Sequence, residues 1–135
     1  MKIVSLVPSA SEILCDLGLI KQLVGVSHEC NYPPNLSNLT PVTSSNINSG
    51  ETQREIDNSV RAKVKENLPL YEINTDKINS LAPDIIITQG VCDVCAISND
   101  QVEVMLKGQL CTIPSSTNVI SLNGRSFDGI CQDIL

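Results

Sequence analysis

The sequence predicts an α/β fold of three layers, with helices on both faces of a mostly parallel, Rossmann-like sheet. Short runs rich in Ile and Val alternate with amphipathic segments at helical spacing, which is the pattern of consecutive βαβ units. The 135 residues are 41% hydrophobic and 18% charged, which is typical of a single soluble domain with one packed core. Since the chain has two Tyr, one Phe and no Trp, that core is expected to be aliphatic.

The first strand–helix unit is predicted at the start of the chain. Residues 3–7 form an apolar, β-rich run that indicates a strand. Ser9 and Glu12 have the spacing of a capping box, so we expect Ser9 to cap a helix that ends at Gly18. A second strand is expected at 23–26, directly before a polar loop.

The remaining elements follow from the same patterns of spacing, capping residues and breakers. They are expected, in chain order, at 41–43 (a short strand), 52–68 (a helix with a Thr52–Glu55 capping box), 70–73 (a strand), 75–81 (a helix), 85–88 (a buried strand), 98–107 (a helix), 119–122 (a strand) and 126–135 (a helix). The last helix carries Phe127, Ile130 and Ile134 on one apolar face, together with Leu135. No packing partner for that apolar face is evident in the sequence, so we expect it to pack against an additional protein surface.

Charge and N-terminal composition exclude several classes of function. Nine basic and fifteen acidic residues give a net charge of −6 without a basic cluster, which argues against a nucleic-acid partner. No run approaches the roughly 20 apolar residues of a membrane span. The first residues lack the pattern of a secretory signal. Taken as written, the chain is therefore expected to be cytoplasmic, with its six cysteines mostly reduced.

Two thiol-bearing loops are expected at one edge of the sheet. His28 and Cys30 follow the second strand, and Cys92 and Cys95 follow the strand at 85–88. Loops that leave the carboxyl ends of parallel strands converge, and ligands bind there. The four side chains are therefore candidate ligands of one metal ion, as a Cys3His set.

The Cys92–Cys95 pair has two other interpretations. A dithiol pair with this spacing could be redox-active, although the carboxylate of Asp93 opposes the lowered thiol pKa that such chemistry needs. The pair could also be structural, beside a ligand cleft. A single CxxC motif does not decide between these possibilities.

His28 is the only histidine and lies in a polar loop. It is a candidate ligand, with the adjacent Glu29 able to orient its ring if the backbone brings the carboxylate within reach. An exposed loop histidine is the alternative. Ser9 and Ser11, at the first strand–helix turn, could contact a ligand, although helix capping alone would explain both. No nucleophile elbow, phosphate-binding loop or dinucleotide fingerprint is present, so no enzyme activity is predicted.

Several segments resemble the cobalamin-type and iron-complex-type substrate-binding proteins of ABC importers. These segments are residues 3–14 (IVSLVPSASEIL), 24–34 (VGVSHECNYPP) and 81–89 (LAPDIIITQ), with CDVCA at 92–96. The family has two α/β lobes joined by a long rigid helix, and the resemblance covers the N-terminal lobe. It implies a ligand-binding lobe at 1–125 and the start of the interlobe connecting helix at 126–135.

The resemblance also implies a function and a set of contacts. The lobe would bind a corrinoid (cobalamin) or another metal complex, without catalysis and without a required cofactor. An ABC permease would be its partner, and a second lobe or a second copy of the chain would complete the cleft. Members of the family are typically extracytoplasmic. The implied ligand contacts are Pro8, Ser9, His28, Glu29, Tyr32, Gln89, Cys92 and Cys95. A small thiol-based zinc or iron protein is the alternative function, followed by a thiol–disulfide oxidoreductase.

Overall fold

A computed structural model describes residues 1–47, 50, 52–66, 70–90 and 116–135. The strands are β1 (Ile3–Ser5), β2 (Leu23–Val26), β3 (Thr40–Pro41), β4 (Thr43–Ser45), β5 (Tyr71–Ile73), β6 (Ile85–Gln89) and β7 (Asn118–Leu122). The helices are α1 (Pro8–Asp16), α2 (Gln53–Lys65), α3 (Thr75–Leu81) and α4 (Phe127–Ile134), with short 3₁₀ turns at Ile20–Gln22 and Pro34–Asn38. No described helix combines the length and the apolar composition that crossing a membrane requires.

Five of the strands form one parallel sheet in the order β3-β2-β1-β6-β7. The chain starts at the centre with β1, runs outward to β3 and then returns to the other side of β1. Val4 pairs with Gly25 of β2 on one side and with Ile86 of β6 on the other. The order of strands therefore reverses at β1, as in doubly wound folds. The predicted α/β class with a parallel sheet is confirmed.

The two faces of the sheet have separate cores. Side chains alternate along β1, so Ile3 and Val4 face opposite sides. Ile3 packs with Leu14 of α1, whereas Val4 packs with Ile78 and Leu81 of α3. The helices α1 and α3 therefore cover opposite faces, which is the three-layer arrangement that the sequence predicts.

The start of α1 differs from its prediction. The residue at the N-cap is Val7, and no side chain caps the helix. Pro8 occupies the first turn, where its fixed φ suits the helix and its missing N–H would have no intrahelical partner in any case. The expected Ser9–Glu12 capping box is therefore wrong, and Ser9 is exposed. By contrast, the Thr52–Glu55 box is present, with Thr52 N–H donating to Glu55 Oε2 at 2.8 Å.

The region predicted as one short strand at 41–43 contains two strands. β3 is parallel to β2, whereas β4 pairs with β5 in an antiparallel ribbon. Val42 lies between them and is fully buried. Its N–H donates to the carbonyl of Val26 at 2.9 Å, and its carbonyl accepts from Asn74 N–H at 2.8 Å. Val42, where the chain leaves the main sheet, is therefore held by backbone hydrogen bonds to Val26 of β2 and to Asn74.

The last described helix, α4, begins as predicted. Ser126 Oγ accepts a hydrogen bond from Gly129 N–H at 3.2 Å. Asp133 Oδ2 accepts from the N–H groups of Asn123 and Gly124 at 2.8 and 2.7 Å, which fixes the helix to the end of β7. The apolar side chains expected on one face are exposed, and Phe127 is 80% exposed. The helix predicted at 98–107 lies outside the described residues.

Replacing Ala82 with Gly is predicted to stabilise the protein. Ala82 ends α3 in the left-handed region, with φ of 47°. That conformation costs an L-residue about 1–2 kcal/mol, and Gly loses roughly 0.5–1 kcal/mol more chain entropy on folding. The free energy of unfolding in urea should therefore rise by about 0.5–1 kcal/mol. The control Ala62→Gly, on the exposed side of α2, should lower it by about 1 kcal/mol. A loss of stability in Ala82→Gly would contradict this account.

Candidate functional site

The carboxyl ends of the parallel strands define the candidate site. β1 leads to Pro8, β2 leads to Ser27 and His28, and β6 ends at Gln89. Because β2, β1 and β6 are neighbours that run in one direction, these residues lie along the same edge of the sheet. The strand order reverses there, which opens a crevice at such an edge. Pro8 and Ser9 are exposed and Gln89 is half-buried.

A hydrogen-bond network holds His28 at this edge. The N–H of His28 donates to Thr43 Oγ1 at 3.0 Å, and the ring atom Nδ1 lies 2.7 Å from the same hydroxyl. Thr43 Oγ1 in turn donates to Ser27 Oγ at 3.2 Å. Ser27 and Thr43 are both buried. The imidazole is therefore fixed by the protein rather than left in a solvated loop.

The other side of the His28 ring lacks a hydrogen bond. Nε2 is buried and has no hydrogen-bond partner in the part of the chain that the structure describes. Glu29 Oε1 lies 3.3 Å away, within ion-pair distance, but the two atoms are not aligned for a hydrogen bond. The ring of Tyr71 lies 5.4 Å from that of His28, centroid to centroid, and is tilted by 51°. One ring nitrogen is therefore engaged and the other is free to take a partner.

Cys30 lies in a different environment from His28. Its side chain is buried, and Sγ lies 3.1 Å from Ser11 Oγ of α1. Burial raises the pKa of the Cys30 thiol, more than its hydrogen bonds with Ser11 and Ser27 lower it. Cys30 packs with Ile3 and other core residues beneath α1, so in this conformation it is a protonated core thiol.

Two members of the predicted Cys3His set, His28 and Cys30, are among the described residues. Cys92 and Cys95 lie outside the described residues, so a metal site that contains them stays a prediction. Within the described ranges, no group of three or more His, Cys, Asp or Glu side chains is arranged to hold a metal ion. The cysteines described, Cys15, Cys30 and Cys131, are free thiols.

The loop after β2 presents two other predicted contacts to solvent. The side chain of Glu29 is 56% exposed and Tyr32 is 64% exposed. Both lie in the loop that follows β2 and that also carries His28. They are therefore accessible to a ligand at this edge.

The residues that orient His28 could not be identified from the sequence. Thr43 was assigned to a short strand, and nothing in its spacing links it to a histidine fifteen residues earlier. The link depends on Val42, where the chain passes from β3 to β4 and turns Thr43 toward β2. Ser27 is adjacent to His28 in the sequence, but its burial could not be read from a polar loop.

A glycine shapes the same edge beyond β6. Gly90 N–H donates to the carbonyl of Leu122 at 3.0 Å. A Cβ at this position would overlap the side chain of Asn123 and lie 2.9 Å from Ser121 Oγ. A side chain at residue 90 would therefore require the side chains of Asn123 and Ser121 to move.

The arrangement of strands and helices defines a class of fold. It is consistent with the N-terminal lobe of a periplasmic binding protein. Comparison by sequence matches the chain to no protein-family model and to no curated protein. Comparison by structure does find similar proteins.

Three solved structures illustrate the similarity. The periplasmic vitamin B12 binding protein BtuF of Vibrio cholerae is 25% identical, with a TM-score of 0.61 over 98% of this chain. A periplasmic heme binding protein from Pseudomonas aeruginosa is 20% identical, with a TM-score of 0.60 over 98%. A possible iron-binding, periplasmic solute-binding protein from Staphylococcus epidermidis is 19% identical, with a TM-score of 0.59 over 98%. For the heme binding and iron-binding proteins, the similarity to this chain is one of fold.

The chain spans little more than a third of the length of these proteins. It covers 38% of BtuF, 35% of the heme binding protein and 38% of the iron-binding protein. The likeness is thus to a single lobe. The expected resemblance to cobalamin-type and iron-complex-type binding proteins is confirmed at the level of structure.

The raised pKa of Cys30 predicts a specific loss of stability in alkali. An ordinary thiol ionises near 9.0, whereas the folded thiol keeps its proton to higher pH. Above that ordinary value, unfolding releases a proton, so the free energy of unfolding falls as pH rises. Between about pH 8 and pH 10, wild type should therefore lose more stability than Cys30→Ala.

Cys131→Ala, which removes a thiol from α4 and leaves Cys30 in place, is the matched control and should keep the pH dependence that Cys30 produces. Urea unfolding at several pH values measures all three proteins. If the free energy of unfolding changed with pH in the same way for wild type and Cys30→Ala, the folded environment would not disfavour the Cys30 thiolate.

Proposed function

We propose that this chain is a ligand-binding lobe that takes up a corrinoid, or another small metal complex, for ABC-type import. It binds its ligand without catalysing a reaction. The observation that carries the proposal is the juxtaposition of an oriented imidazole with the sheet edge at which strand order reverses. The likeness to proteins whose names specify vitamin B12, heme and iron supports the same class of ligand.

His28 is the central contact in this proposal. Neutral imidazole is a common metal ligand, and ligating histidines usually donate their second ring N–H to a protein acceptor. The contact of Nδ1 with Thr43 Oγ1 meets that second requirement. The buried Nε2 is then the atom that would approach the metal centre or a polar group of the complex.

Other residues at the carboxyl edge of the sheet would supply the remaining ligand contacts of this lobe. Tyr32 is exposed in the loop that carries His28 and offers apolar surface with a polar tip. Pro8 and Ser9 lie at the N-terminus of α1, where backbone N–H groups favour a carbonyl or an anionic group. Gln89 ends β6 and offers both a donor and an acceptor.

A second surface would complete the binding site. Small-molecule sites bury most of a ligand, typically 70–90% of its surface, and a single sheet edge covers one side only. The other side would come from a second lobe or a second copy of the chain. The exposed apolar face of α4, with Phe127 80% exposed, is compatible with such a contact. A membrane permease of the ABC type is the further partner that this function implies.

The proposal predicts stabilisation by hydroxocobalamin or by hemin. A ligand that binds only the folded state adds about 2.7 kcal/mol at a hundredfold excess over its dissociation constant. The melting temperature should therefore rise with ligand concentration. His28→Gln and Tyr32→Ala should each reduce the rise.

The control is Lys21→Ala, at the opposite end of β2, which should respond as wild type does. Thermal melts followed by circular dichroism avoid interference from the coloured ligands. Equal shifts in His28→Gln and Lys21→Ala would exclude this edge as the binding site. Unchanged melting with every corrinoid and porphyrin tested would exclude the proposed ligand class.

A further inference from the structure

We propose that Ser27 and Thr43 act together as positioning residues that hold His28 with its proton on Nδ1 and leave the Nε2 lone pair for a ligand. This inference rests on the proposed function for the identity of the ligand, but the proton assignment stands on the geometry alone. It concerns two hydroxyl groups for which the sequence gives no indication of a role. The direction of each hydrogen bond in the network determines which ring nitrogen carries the proton.

The Thr43 hydroxyl has one proton and two lone pairs. Its geometry is that of a donor to Ser27 Oγ, at 3.2 Å, so its only proton is used there. One lone pair accepts the backbone N–H of His28 at 3.0 Å. The second lone pair of the Thr43 hydroxyl is therefore the one that faces the imidazole.

The close contact of Nδ1 with that lone pair settles where the proton must lie. The two atoms are 2.7 Å apart, a distance typical of a strong hydrogen bond. If Nδ1 were unprotonated, two lone pairs would face each other at this distance. The favourable arrangement has Nδ1–H donating to Thr43, which makes Nε2 the unprotonated nitrogen of the neutral ring.

Nε2 is in the position that this assignment requires. It is buried and makes no hydrogen bond within the described residues. A buried acceptor without a partner is costly, by about 1–3 kcal/mol, so such a group is retained most readily where a ligand will use it. Glu29 Oε1 lies 3.3 Å from Nε2 but is not aligned for a hydrogen bond with it, and its exposed side chain can move aside for a ligand. The group that fits Nε2 is an electron-pair acceptor, such as a metal centre with an exchangeable axial position.

Ser27 is essential to this assignment, because it fixes the direction of the Thr43 hydroxyl. Without an acceptor at residue 27, the Thr43 proton could rotate toward Nδ1. Nδ1 would then become the acceptor and the ring proton would move to Nε2. Ser27 therefore acts on the imidazole through Thr43, which is the residue hydrogen-bonded to the ring.

The tautomer can be measured without any ligand. His28 is the only histidine, so ¹⁵N–¹H correlation spectra of labelled protein contain one imidazole. At about pH 8.5 an ordinary imidazole is neutral, and the chemical shifts of its two nitrogens show which of them carries the proton. Wild type should show the proton on Nδ1.

Three variants separate positioning from a merely structural role. Ser27→Ala and Thr43→Val should move a large part of the population to the Nε2–H tautomer. Thr43→Ser, which keeps the hydroxyl, should retain the wild-type spectrum. A wild-type proton on Nε2, or an unchanged tautomer in Ser27→Ala, would overturn the proposal. Backbone amide spectra confirm that each variant is folded.

A second measurement connects the tautomer to binding. Aquocobinamide is a corrinoid without its own nucleotide base, so its axial water can be replaced by Nε2, which forms the new bond to cobalt as the water leaves. The full chain should shift the visible spectrum of this probe. Loss of a supporting contact to a metal-ligating histidine typically costs 10–100-fold in affinity, so about that loss is expected in Thr43→Val, with Thr43→Ser close to wild type.

The two measurements fail independently. If the tautomers behave as stated and no protein binds aquocobinamide, the proton assignment is supported and the proposed function is contradicted for this ligand class. If all the proteins bind the probe with equal affinity and equal spectral shift, the positioning role of Ser27 and Thr43 is contradicted.

Discussion

The structure depends on the burial of β1 between the two halves of the sheet. Ile3, Val4 and Ser5 are all buried and pair with β2 on one side and with β6 on the other. Their side chains also supply both cores, since Ile3 faces α1 and Val4 faces α3. Because the strand order reverses at β1, the strand that stabilises the sheet also defines the edge at which doubly wound folds bind their ligands. Stability and candidate site therefore have one structural origin.

Most of the fold could be predicted from local patterns. The bounds of α3 agree with the prediction at 75–81, and the buried strand expected at 85–88 is present. These elements are governed by spacing and by breakers such as Pro83, which act over a few residues. The errors arose where tertiary contacts decide the outcome. Pro8 makes a side-chain cap on α1 unnecessary, and the double anchoring of Val42 divides one expected strand between two sheets.

The candidate site was predictable in its position but not in its mechanism. Parallel strand order places the loops after β1, β2 and β6 at one edge, so the sequence could identify His28 as a candidate contact there, and its contact with a ligand stays a prediction. Its partner Thr43 could not, because that contact depends on how the chain turns after β3. Cys30 was expected beside His28 as a ligand, whereas its thiol is buried against Ser11 with a raised pKa. The predicted contribution of Cys92 and Cys95 concerns residues outside the described ranges.

The central claim is that ligand binds at the carboxyl edge of this sheet. Amide hydrogen exchange, measured by mass spectrometry with and without hydroxocobalamin, tests it most directly because local protection is reported along the chain. The account predicts that ligand slows exchange in the segments after β1, β2 and β6, around residues 8–11, 27–32 and 89–95. Protection confined to the opposite edge, around residues 18–23 and 82–84, would contradict the account.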